Sequence, residues 1–216
     1  MSKIKKSLIV IVGIAVLAFI IRFVSPQANV SLAAEVQKNF TKMTELSFEH
    51  ATSSNPYDYI DNEYYDNIVN LGVPAVKVIE QNYYNGYYDG LNAYIAGLAI
   101  QEITDMNLYE CTGEDWETGE QFFYNWNETV NSLPERFEKI INSNEPVEEK
   151  ISDIEKFGVF GQYFLSSVVN EKASSVEFNG EMIPINDCTA MKAQKIKKLS
   201  AEEIAEIEDY LESVPK

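Results

Sequence analysis

The stretch Leu91–Ile103, which reads LNAYIAGLAIQEI, decides the fold that we expect for this chain. Apolar residues recur three and four positions apart along one side of it, and small or apolar residues cover the other side. No charged residue occurs in the stretch before Glu102. A helix that is apolar all round is packed on all sides, and its small residues let a neighbouring helix approach closely. The stretch therefore predicts the central helix of a helical core.

The segments on both sides of this stretch also have helical spacing. Toward the N-terminus we expect a short helix over 62–71 that Gly72 closes, and a second helix that starts at Pro74. The second helix should turn its apolar residues inward and point three polar ones outward: Lys77, Glu80 and Gln81. Toward the C-terminus an apolar seam continues at the same spacing: Phe122, Trp126, Val130, Leu133 and Phe137. The predicted fold class is all-α, a compact helical bundle.

Local turn and capping signals add detail near the C-terminus. Asn179-Gly180 between short alternating arms predicts a small β-hairpin over 175–185, which Pro184 confines to an edge. Ser200 with Glu203 has the spacing of a capping box and predicts the start of a final amphipathic helix. Ser132 with Glu135 has the same spacing, so we expect a helix to begin there too.

An internal repeat links two parts of the chain. Ile68–Pro74 and Ile154–Phe160 lie 86 residues apart and share three identities, including the helix-closing Gly72 and Gly158. Followed by Leu91–Ile103, the first copy resembles the two helices of a HEAT-type repeat, and the chain is also similar to exported proteins of Gram-positive bacteria. The resemblance implies HEAT-like helix pairs that stack, and a scaffold that binds other proteins along its face.

The first residues have the order of an export signal. Lys3, Lys5 and Lys6 precede an apolar run over 8–21, and the basic residues should keep the N-terminus in the cytoplasm. We therefore divide the chain into a membrane anchor or signal segment (1–28), a juxtamembrane helix or linker (29–52) and an extracytoplasmic helical domain (53–216). Because Leu32, Val36, Phe40, Met43 and Leu46 continue at helical spacing through a small-residue site at 31–33, we favour an uncleaved single-pass anchor. Cleavage there, which would release a secreted protein, is the alternative.

The charge of the chain is strongly acidic beyond the leader. That part carries 34 acidic and 13 basic side chains, a net charge of −21, and over 43–134 Lys77 is the only basic residue among sixteen acidic ones. Such a surface repels phosphate backbones, so we expect no nucleic-acid partner. A cationic partner or divalent ions remain compatible with it.

Few residues point to catalysis. His50, the only histidine, lies in a polar segment, which removes most triad, acid-base and zinc schemes. We expect no enzymatic activity, no cofactor and no metal site, with a weak calcium site on the acidic runs as the alternative. Cys111 and Cys188 are the only cysteines, and outside a membrane they either pair as a disulfide or stay two buried thiols.

Tyrosine is the unusual residue of this sequence. Nine of the thirteen tyrosines lie over 57–94, and they include three adjacent pairs: Tyr64 and Tyr65, Tyr83 and Tyr84, Tyr87 and Tyr88. Adjacent residues cannot both face one core, so some of these rings should be exposed and, with Asp89, form a candidate ligand-binding surface. We predict an extracytoplasmic, membrane-anchored module that binds a protein or peptide through this acidic, tyrosine-rich face. The alternatives are a module that binds cell-wall carbohydrate, and a hydrolase that uses two carboxylates.

Overall fold

The computed structural model describes residues 31–46, 55–170, 175–185 and 196–214. The predicted anchor or signal segment, His50 and Cys188 lie outside these ranges, so the expectations about them stay predictions. Within the ranges, no helix combines the length and the apolar character needed to cross a lipid bilayer.

Helices make up most of the described chain, and one small antiparallel hairpin follows them near the C-terminus. The elements in chain order are α1 (31–46), a 3-10 helix (Pro56–Tyr59), α2 (Glu63–Val69), α3 (Val73–Tyr84), α4 (Gly90–Thr104), α5 (Leu108–Thr112), α6 (Gly119–Asn131), α7 (Leu133–Ile141), α8 (Val147–Glu155), α9 (Gly158–Asn170), β1 (Ser175–Phe178), β2 (Glu181–Pro184) and α10 (Ala201–Ser213). The predicted helical fold with a C-terminal hairpin is confirmed at this level.

Helix α4 is the centre of the core, as its apolar sequence predicts. It contacts α2, α3, α6 and α9, and most of its side chains are buried. Its small residues face α6 at close range, because a Cβ added to Gly97 would lie 2.7 Å from Cγ of Phe122. The predicted seam on the C-terminal side of α4 is also buried, from Phe122 to Phe137.

Helix α1, the described part of the predicted juxtamembrane segment, packs on the domain. Three of its side chains are almost completely buried: Val36, Phe40 and Met43. The ring of Phe40 stacks on Tyr88 with centroids 4.4 Å apart. The helix is thus part of the same core as the domain that follows it.

Both glycines of the internal repeat join consecutive helices. Gly72 (φ 70°) lies between α2 and α3, and Gly158 (φ 55°) lies between α8 and α9. At Gly158 a Cβ would also collide with the carbonyl oxygen of Thr104, so α9 begins directly against the end of α4. The two copies therefore share the predicted helix closed by a glycine, while HEAT-type stacking stays a prediction.

The capping predictions had mixed outcomes. Ser200 and Glu203 form the predicted capping box at the start of α10. Ser132 does not cap α7, because its hydroxyl donates to the carbonyl oxygen of Glu128 at 2.8 Å and so serves the end of α6. Helix α7 begins with proline in its first turn instead, where the missing N–H costs no hydrogen bond.

Candidate functional site

The three tyrosine pairs are divided between core and surface. One ring of each pair is packed more deeply than its neighbour, and the exposed fractions range widely: 3 % for Tyr65, 5 % for Tyr88, 55 % for Tyr84 and 68 % for Tyr87, with Tyr64 and Tyr83 half-buried. Successive side chains on a helix point about 100° apart, which accounts for the division within the two pairs that lie on α2 and α3. We therefore leave Tyr65 and Tyr88 out of any exposed binding surface.

Those two rings stabilise the core. Burial and a hydrogen bond to Glu102 raise the pKa of Tyr65, so its hydroxyl stays protonated and links α2 to α4. The hydroxyl of Tyr88 accepts a hydrogen bond from Nδ2 of Asn82 at 3.0 Å, and burial raises its pKa as well.

Tyr83 and Tyr84 gather at one end of α3, whereas Tyr64 lies on α2 and does not belong to this group. Tyr83 stacks on Phe123 of α6, with centroids 3.8 Å apart and planes 6° from parallel, and Tyr84 meets Tyr83 edge-on at 5.3 Å. Glu120 precedes Phe123 by three positions on α6, so it lies on the same side of that helix, and after burial its charge is the second cause that raises the pKa of Tyr83. One turn further along α6, on the same side as Glu120, is Tyr124, which is 69 % exposed.

The turn after α3 adds one more exposed ring. Gly86 (φ 77°) donates its N–H to the carbonyl oxygen of Tyr83 at 2.9 Å, and Tyr87 donates to that of Asn82 at 2.9 Å. This pair of bonds is a Schellman motif, which ends the helix and fixes the backbone of Tyr87. We call the surface made of Tyr83, Tyr84, Tyr87, Glu120 and Tyr124 the aromatic patch.

The segment of the chain that carries the patch has almost no basic side chains. Over the described residues 55–134, Lys77 is the only one, and its Nζ lies 3.1 Å from Oδ2 of Asp209 on α10. Asp89, the remaining candidate residue, is exposed and occupies the N-cap of α4, where its side chain makes no capping hydrogen bond. The patch is therefore aromatic and acidic, which suits a cationic ligand.

Glu80 departs from the expectation that it points outward. Its Oε1 accepts hydrogen bonds from Nε1 of Trp126 at 2.8 Å and from the hydroxyl of Tyr210 at 3.1 Å. Burial raises the pKa of Glu80 to about 7, although both hydrogen bonds act in the opposite direction. The reason is α10, which packs on the side of α3 that would otherwise face water.

A groove of about 880 Å³ runs between α9, the hairpin and α10. Three carboxylates line it, Glu177 on β1 and Glu208 and Glu212 on α10, and Oε1 of Glu208 accepts a hydrogen bond from the Tyr163 hydroxyl at 2.8 Å. Sequence reasoning missed this groove because its walls come from three separate segments. The acidic composition of these three segments is the one sequence signal that could have suggested the groove.

The acidic side chains that line the cavities of the described chain lie at the surface. The groove carboxylates are exposed, and so are those in a second cavity of about 490 Å³: Glu102, Asp105, Glu110 and Glu155. Among the described residues, no group of three or more histidine, cysteine, aspartate or glutamate side chains is placed to hold a metal ion.

Cys111 is a half-buried thiol. Its Sγ donates to the carbonyl oxygen of Lys156 at 3.0 Å, and burial raises the pKa of the thiol to about 12. Because Cys188 lies outside the described residues, the predicted disulfide stays a prediction.

The chain was compared with known proteins at three levels. No model of a protein family, no curated protein and no solved structure matches it. The resemblance to a HEAT-type repeat thus stays a prediction from the sequence.

Proposed function

We propose that this protein is an extracytoplasmic, membrane-anchored interaction module that binds a protein or peptide through the aromatic patch. The observation that carries the proposal is the packed array in which the exposed Tyr84 rests against the Tyr83–Phe123 stack. The partner that fits this surface is a protein segment with exposed basic side chains, above all arginine.

The array is well suited to binding because its rings are held in place before a partner arrives. Phe123 is 1 % exposed and anchors the stack from α6, so Tyr83 and Tyr84 lose little further freedom on binding. Tyrosine combines a large apolar face with a polar hydroxyl, which explains its enrichment in protein interfaces.

Charge supports the same kind of partner. Glu120 is on the same side of α6 as Phe123, and its charge acts on Tyr83. A guanidinium group over a tyrosine ring gains cation–π attraction, and a neighbouring carboxylate adds charge pairing.

Site-specific photo-cross-linking of the full-length chain in cells tests the proposal. A photoreactive phenylalanine analogue replaces Tyr84 or Tyr124 in the patch, and Tyr57 or Tyr109 as controls. The control rings are 57 % and 58 % exposed, which is similar to the exposure of the patch positions, but they do not belong to the packed array.

We expect both patch positions to capture the same partner protein and neither control position to do so. Glu120→Gln should reduce the yield of that product, because it removes the carboxylate and keeps the shape of the side chain. Equal capture at all four positions would contradict the proposal. A product that cell-wall hydrolases remove would favour carbohydrate binding instead.

A further inference from the structure

The hairpin turn fixes which backbone groups of β1 point away from β2. Asn179 (φ 49°) and Gly180 (φ 79°) form a two-residue turn with positive φ at both positions, which is type I′. Such a turn closes on a hydrogen-bonded pair, here Phe178 with Glu181, and bonded pairs alternate with unbonded ones along the ladder. Val176 therefore bonds to β2, while the N–H and C=O of Glu177 point to the outer edge.

Among the described residues, that outer edge of β1 is unpaired, because no hydrogen bond reaches the backbone of Glu177 from outside the hairpin. The edge of β2 differs, since Nδ2 of Asn142 donates to the carbonyl oxygen of Pro184 at 2.9 Å. An open strand edge is a template on which another strand can pair.

The open edge borders the groove described above. Glu177 of β1 lines it on one side, and α10 contributes Glu208, Glu212, the half-buried Ile204 and the almost completely buried Leu211. None of the described side chains that line this groove is basic. Tyr163 binds one oxygen of Glu208, which orients that carboxylate and leaves its second oxygen for another donor.

We propose that the outer edge of β1 accepts an extended basic peptide segment of a partner protein as a third strand. The four residues of β1 span ~13 Å, so about four residues of the ligand would pair with them. Alternate ligand side chains point to opposite faces of the strand. A segment that alternates basic and apolar residues would bring charge to the carboxylates and an apolar group to Ile204. This surface is separate from the aromatic patch.

Binding of a labelled hexapeptide with alternating lysine and valine to the full-length chain in detergent tests this proposal. Fluorescence anisotropy gives the affinity, and amide hydrogen exchange reports on the Glu177 N–H. We expect saturable binding that slows exchange of this amide and weakens as salt rises. A glutamate–valine peptide and a backbone N-methylated lysine–valine peptide should not bind.

Two matched pairs of variants locate the ligand. Glu177→Pro removes the outward N–H together with a groove carboxylate and should weaken binding about tenfold more than Glu177→Gln, which removes only that charge, whereas Met182→Pro alters the directly opposite residue on β2 and should not weaken it. Removal of both groove carboxylates of α10 with Glu208→Gln and Glu212→Gln should weaken binding about fivefold or more. The same change at Glu202 and Glu206, which do not line the groove, should have little effect.

Several results would overturn the proposal. One is that the N-methylated peptide binds with the same affinity as the lysine–valine peptide without methyl groups, because side chains alone would then hold the ligand. A second is equal loss of affinity in the two proline variants, which would indicate a damaged hairpin, and a third is slow exchange of the Glu177 amide before peptide is added. Failure of the lysine–valine peptide to bind the unmodified chain would also refute it.

Discussion

Replacing Glu80 by glutamine should remove a pH dependence from the stability of this protein. In the folded chain the pKa of Glu80 is raised from 4.5 to about 7, because the carboxyl is buried where α3, α6 and α10 meet. Glutamine has the same shape and keeps the acceptor oxygen for Trp126 and Tyr210. It cannot titrate.

The sign of the effect follows from proton linkage. A carboxyl whose pKa is raised on folding stabilises the folded state fully below its unfolded pKa, near 4.5, and that stabilisation is lost as the pH rises through about 7. A shift of this size corresponds to about 3 kcal/mol. We therefore expect the free energy of unfolding of the Glu80→Gln variant, relative to the unmodified chain, to rise by about 3 kcal/mol between pH 4.5 and pH 8.

Urea unfolding of the full-length chain in mild detergent, followed by tryptophan fluorescence at several pH values, measures this difference. Other titrating groups contribute equally to both proteins and cancel in the comparison. Glu138→Gln on the exposed side of α7 is the control, and its difference from the unmodified chain should not vary with pH. If the Glu80→Gln difference is also flat over this range, Glu80 is already ionised in the folded protein and our account of its burial is wrong.

Three further predictions concern other contacts. Gly97→Ala places a Cβ 2.7 Å from Cγ of Phe122, so urea unfolding should show a loss of about 1–3 kcal/mol from overpacking. Gly158→Ala adds left-handed backbone strain to a collision with the carbonyl oxygen of Thr104, so it should cost more than Gly97→Ala in the same assay. In the reduced folded chain, the Cys111 thiol should react with iodoacetamide at pH 8 roughly two orders of magnitude more slowly than in urea, since burial raises its pKa to about 12. Mass spectrometry of the tryptic peptide measures both rates.

The sequence predicted those parts of the fold that depend on local pattern. The apolar helix around Gly97, the Asn179-Gly180 turn and the Ser200 cap each depend on residues a few positions apart, and the structure confirms all three. Ser132 shows the limit of such patterns. Its spacing to Glu135 suits an N-cap of α7. Its hydroxyl instead donates to the last turn of α6 and so serves the end of that helix.

Contacts between segments that are far apart in the chain could not be predicted from the sequence. Glu80 reads as a surface residue of α3 because its neighbours Lys77 and Gln81 are polar, and only α10, some 130 residues later, turns its environment into core. The groove depends on the same helix, since α10 supplies Glu208 and Glu212 to its lining. For the tyrosine pairs on α2 and α3, the period of the helix predicts that one ring of each pair packs, but not which exposed rings share a surface.

The packing of α1 bears on how the aromatic patch is presented. Val36, Phe40 and Met43 are buried in the core, so α1 and the domain move as one body, and Phe40 stacks on Tyr88, the neighbour of the exposed Tyr87. Phe40 lies nine residues beyond Ser31, the first described residue of α1, which is ~14 Å along a helix. An uncleaved anchor would therefore hold this end of the domain near the bilayer and favour partners at the membrane surface. Cleavage after Ala33 would keep these three contacts but would remove Leu32, which packs against the same core, so the cleaved form would lose part of the packing that holds α1 on the domain.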